Sequence, residues 1–181
     1  MNTKKTQDYQ LIRSKRKTIA IEVKKDCTVV VRAPEKCNVR IIDAFVEKNA
    51  KWIENALLKA EKRKSLADSY AVAPEDKAEY KKRAEEYLPG RVKYWSEITG
   101  LVPSYVHITS AEKRYGSCNG KNGICFSYRL MAYPPETVDY VILHELAHII
   151  HKNHSQNFYM YIKEFMPDYK RHEKILKHKG D

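Results

Sequence analysis

The chain has 181 residues, 43% of them hydrophobic and 31% charged, an ordinary globular balance that excludes a disordered polymer and allows a sizeable core. Its 34 Lys and Arg against 23 Asp and Glu give a formal charge of +11, a field that attracts acidic partners such as nucleic acid but that a solvated basic surface also produces. No apolar run nears the ~20 residues that cross a bilayer, and the opening MNTKKTQDYQ has no apolar stretch behind its lysines, so the expected setting is cytoplasmic, without a signal peptide.

Residues 9–33 read as strands. Ile19, Ile21 and Val23 alternate within 18–23, and 28–32 is a second β-branched run. Lys24-Lys25-Asp26 between them predicts a hairpin. Asn38 is the expected N-cap of a helix running to about Ser65, on which Ile41, Ile42, Phe45, Trp52, Ile53, Ala56, Leu57 and Ala60 recur at helical spacing. Its end carries Lys59, Lys62, Arg63 and Lys64, read either as a phosphate-binding cluster or as a solvated face. A second helical stretch is expected from about Pro74 to Thr99, kinked or split at Pro89-Gly90 and stopped by Gly100.

Short strands are expected over 104–131: an alternating 105–109, then 114–118, a polar turn 119–123, and 124–128. Pro134-Pro135-Glu136 opens a further helix. The four cysteines (Cys27, Cys37, Cys118, Cys125) form no CxxC pair, so free thiols are expected rather than a cysteine zinc knuckle. Cys118 and Cys125 are spaced to face each other across the last hairpin.

The helix after Pro135 carries His144-Glu-Leu-Ala-His148. Histidines at i and i+4 stand on one face, about 6 Å apart along the axis, so both rings can converge on one ion. Glu145 stands beside them, placed to act as a base without being a ligand. Zinc lowers the pKa of a water from 15.7 to ~7, and a neighbouring carboxylate then takes its proton as it attacks a carbonyl. Val138, Ile142, Leu146, Ile149 and Ile150 form the expected apolar stripe on the opposite side. For the third ligand, His151 lies ~10 Å along the axis from His144 if the helix continues. His154 becomes available if the helix ends near Lys152-Asn153, with Asn153 left-handed and Ser155 capping a helix from Gln156 to Phe165. His154 is favoured, and Glu164 and Glu173 stay open as carboxylate ligands. His107, His172 and His178 are expected at the surface.

The segments Arg114-Tyr-Gly-Ser-Cys118, Tyr128-Arg-Leu130, Pro134-Pro135, His144-Glu-Leu-Ala-His148 and Asn153-His154-Ser155 resemble the YgjP-like zinc metallopeptidases, relatives of the SprT-like proteases. Arg13-Ser-Lys-Arg-Lys17, Arg32-Ala-Pro34 and Trp52-Ile53 extend the likeness over most of the chain. The resemblance implies a histidine third ligand at His154 and a small α+β, zincin-like fold with a sheet edge along the cleft. Tyr115 stands where that family commonly has tryptophan. Gly116-Ser117-Cys118 is read as cleft lining or as a bend, and Arg114 and Tyr115 as possible oxyanion partners.

The resulting expectation is one α+β metallopeptidase domain over 1–181, with a hairpin part (9–33), a helical part (38–100) and a zinc-bearing part (104–178). One Zn2+ per chain is held by His144, His148 and His154, and Glu145 is the catalytic base acting on a protein or peptide substrate. The alternatives are a DNA-associated SprT-like protease or nucleic-acid-binding module, and a zinc hydrolase of another amide or ester.

Overall fold

The computed structural model describes residues 8–177, so the expectation for His178 lies outside the described residues. The chain is mixed α+β and divides into two compact units, 1–68 and 69–181.

In the first unit, strands β1 (Gln10–Ser14), β2 (Ala20–Val23) and β3 (Val29–Pro34) form a sheet of order β1-β3-β2. β2 and β3 are the expected antiparallel hairpin, with Ile21 opposite Val31. β1 joins the other edge of β3 in parallel. The left-handed residue of the turn is Cys27, at φ 69°. Asn38 caps α1 (Val39–Lys48), its side chain accepting from the Arg40 N–H. The single long helix expected here breaks at Asn49. The Asn49 side-chain amide donates to the Phe45 carbonyl at 2.7 Å, which also accepts the Asn49 backbone N–H at 3.2 Å. α2 then runs Ala50–Ser69. Val29, Val31, Ala33, Ile42, Val46 and Ile53 form the core of this unit. Ile41 and Trp52, counted above with the apolar face, are more than half exposed. Lys59, Lys62, Arg63 and Lys64 are all exposed on α2.

In the second unit, a 3-10 turn at Pro74–Asp76 leads into α3 (Lys77–Thr99). α3 continues as one helix through Pro89 rather than splitting there. Gly100 ends it at φ 72°, its N–H bonding the Ser96 carbonyl, a left-handed geometry that glycine adopts without steric penalty. Strands β4 (Tyr105–Thr109), β5 (Gly116–Cys118) and β6 (Gly123–Ser127) make a sheet of order β4-β6-β5, so β5 is an edge. β4 lies parallel and β5 antiparallel to β6. Cys125 stands opposite Ser117 rather than Cys118, and all four cysteines are free.

A 3-10 turn (Tyr128–Ala132) leads to α4 (Pro135–Ala147), followed by α5 (Gln156–Phe165) and α6 (Tyr169–Leu176). Val138, Ile142 and Leu146 of α4 are buried with Phe126, Leu130, Phe158 and Ile162. Ile150 departs from the expected stripe: it lies beyond the end of α4 and is 49% exposed. Arg91 of α3 grips Asp139 of α4 through two parallel hydrogen bonds of 2.9 and 2.6 Å, the fork geometry that makes Arg–carboxylate pairs strong and directional. No described helix is long and apolar enough to cross a membrane.

Candidate metal centre

α4 ends at Ala147, short of the expected stop at Lys152-Asn153, with His148 as its C-cap. The chain closes there in tight turns, Ile149 N–H to the Leu146 carbonyl and Ile150 N–H to the Ala147 carbonyl, the shortened hydrogen bonding common at helix termini, while the His151 N–H also reaches the Ala147 carbonyl. This early end brings the chain back at His154. Asn153 is not left-handed, as the only described non-glycine residues with positive φ are Cys27 and Asn122. Ser155 occupies the cap position of α5 without a side-chain cap bond.

His144, His148 and His154 are brought together: one ring nitrogen from each lies within 4.8 Å of the others. The Nε2 atoms of His144 and His154 are 3.0 Å apart. His148 Nδ1 lies 2.8 Å from the His151 carbonyl oxygen. A carbonyl only accepts, so Nδ1 carries the proton and donates it, which leaves the Nε2 lone pair of His148 free for a metal. Burial, reinforced by His148 and His154, pushes the His144 pKa down to about 3. Burial also lowers that of His148, against the raising effect of its bond to the His151 carbonyl. His144 and His148 are thus neutral at physiological pH, as metal-ligating imidazoles must be. Three converging imidazole nitrogens at the edge of a cavity fit a catalytic zinc site.

The other sequence candidates separate clearly. The His151 ring packs toward Tyr161, and its contribution to the centre is its backbone carbonyl. Glu164 is exposed on α5. Glu173 lines the cavity beside the histidines but pairs with Lys177 at 3.0 Å. His107 is exposed as expected. His172 is not a surface residue: it is 6% exposed, with Nδ1 3.1 Å from the buried Thr137 hydroxyl, because α6 packs against the N-terminal turns of α4.

Glu145 is 6% exposed and borders a cavity of about 740 Å3 that His144, His154, Tyr115, Gly116, Tyr140 and Glu173 also line. Burial raises its pKa to about 8, partly opposed by the charge of Arg114. Tyr115 lines the same cavity, and its hydroxyl meets that of Tyr133. Burial raises the Cys118 thiol pKa, which disfavours the thiolate a nucleophile needs.

Phe158 was not foreseen. It is fully buried on α5, with ring centroids 4.8, 4.6 and 4.8 Å from those of His144, His148 and His154. Its ring is a common wall against which all three imidazoles rest. The available signal was its place as an apolar residue in the first turn of the helix that follows His154.

A family model described as YgjP-like, metallopeptidase domain, matches residues 17–78 and 72–179. The chain belongs to the YgjP-like metallopeptidase family. It is accordingly a peptidase, a hydrolase, at the level of its family. No curated protein matches it. Among solved structures, the metallopeptidase zymogen of Pyrococcus abyssi abylysin is similar at 21% identity and a TM-score of 0.43, over 48% of this YgjP-like chain and 86% of the other.

Proposed function

We propose that this YgjP-like chain hydrolyses peptide bonds in protein or peptide substrates, with one Zn2+ held by His144, His148 and His154 and with Glu145 as the general base. The observation that carries the reading is the meeting of three imidazoles beside a single buried carboxylate in an open cavity. Zinc, when bound, supplies a Lewis acid that lowers the pKa of a water to ~7. Glu145 takes a proton from the attacking water as its oxygen bonds to the peptide carbonyl carbon. It then delivers that proton to the amine nitrogen as the C–N bond breaks. Burial raises the Glu145 pKa in the metal-free protein, and a zinc cation held beside it would favour the ionised form that a base requires. The His151 carbonyl holds the His148 ring in the tautomer that leaves Nε2 free. Phe158 packs against all three imidazole rings.

Incubation with unstructured proteins and peptide libraries, followed by mass spectrometry, tests the reading. New peptide termini are expected, lost on chelation and restored by zinc. Cleavage of small amides or esters with no peptide cleaved would assign the same centre to a different hydrolase.

A further inference from the structure

Gly116 opens β5, and its φ is not in the left-handed region, so backbone geometry does not demand glycine there. Space does. A Cβ at this position would lie 2.5 Å from Glu145 Oε1, 2.6 Å from Glu145 Cγ and 2.8 Å from Glu145 Cδ, whereas real Cβ contacts essentially never fall below 3.0 Å. The three nearest atoms all belong to that one side chain.

Neither backbone can give way easily. β5 is paired to β6 with Gly116 opposite the fully buried Phe126, and the Ser127 N–H bonds the adjacent Tyr115 carbonyl at 2.8 Å. On the other side, α4 is fixed by Ile142 and Leu146, both 0% exposed, and close-packed interiors resist displacement. The movable member is the Glu145 side chain. We infer that Gly116 is a positioning residue: the side chain it lacks is the slot that seats the Glu145 carboxylate against the edge strand, at the wall of the cavity that His144 and His154 also line. This rests on the reading of Glu145 as the base, and it gives the Gly-Ser-Cys segment a specific role.

The test is a double-mutant cycle on zinc-loaded protein, measuring kcat, KM and metal content for wild type, Gly116→Ala, Glu145→Gln and the double variant. Gly116→Ala is expected to keep its zinc and its KM while kcat falls about 10²-fold, the scale expected for a ~1 Å misplacement of a reacting group. In the Glu145→Gln background, where no base remains to displace, the same change is expected to alter turnover less than ~3-fold. A Gly116→Ala enzyme with wild-type kcat overturns the inference. So does a loss that persists undiminished in the Glu145→Gln background, which would mean that Gly116 acts on the substrate directly. Wild-type turnover in Glu145→Gln alone would instead remove Glu145 as base and the inference with it, an outcome distinct from a slow Glu145→Gln beside a fast Gly116→Ala. Stability supplies a readout that needs no activity. The drop in Tm from Gly116→Ala is expected to disappear when Glu145→Ala empties the slot, and a drop that remains would refute the fit.

Discussion

Replacing Glu145 with glutamine in the metal-free protein isolates what it costs to hold an ionised carboxylate in this site. Burial raises its pKa from 4.5 to about 8. Between those values the folded protein keeps a proton that the unfolded chain has released, so the folded state binds more protons and stability falls as pH rises through the window. Below pH 4.5 both states are protonated and the penalty vanishes; above 8 it is complete. At 1.36 kcal/mol per pH unit the full gap is about 5 kcal/mol as an upper bound, and relaxation of the site leaves an expected effect of roughly 2–3 kcal/mol. Glutamine has nearly the same shape and no charge. Depression of the His144 pKa acts in the opposite direction, with stability lost as pH falls from 6.5 toward 3, but it is common to both proteins and largely cancels in the difference. Urea denaturation of metal-free wild type and Glu145→Gln at about pH 4, 7 and 9 is the assay, spanning the window in which the two protonation states separate. The variant should match wild type at the acid end and exceed it increasingly toward the alkaline end. Zinc should shrink the gap, since a nearby cation favours the ionised carboxylate. An offset independent of pH, or a variant less stable than wild type at the alkaline end, would refute the reasoning.

Two further outcomes follow from the same geometry. In zinc titrations His154→Ala should lose most of its affinity, while His151→Ala should change little because the His151 contact is made by its backbone carbonyl; zinc stripped by His151→Ala and retained by His154→Ala would reverse the ligand set. Arg91→Ala should lower stability by about 1–3 kcal/mol, since it strands the mostly buried Asp139 carboxylate on the helix that carries the centre, and thermal melts beside Arg91→Lys, which keeps the charge but not the fork, separate charge from geometry.

Much of the site was legible because its determinants are local. The i,i+4 histidines need only a helix, and Ser155, Phe165 and Pro167 bracket α5 at the expected residues. Gly100 stops α3 for a reason contained in one residue. What escaped depends either on local bonds that helical periodicity does not register or on contacts between distant segments. The early end of α4 is set by the tight turns after Ala147, and the nominal signal at Asn153 played no part. Asn49 breaks a helix through a side-chain bond that helical periodicity does not register. His172 is buried because it finds Thr137, 35 residues away. The fit of Glu145 against Gly116 joins a helix to the edge of a strand that precedes it by a turn, a strand and a second turn, and no spacing rule anticipates it.

The most direct test of the central claim measures bound zinc and peptide turnover together in wild type and Glu145→Gln, both purified without added metal. The account predicts one zinc per chain in each protein and a loss of turnover of at least ~10²-fold in the variant, the lower end of what general acid–base catalysis contributes. Undiminished turnover in Glu145→Gln, or a folded wild-type protein that takes up no zinc on titration, would contradict it.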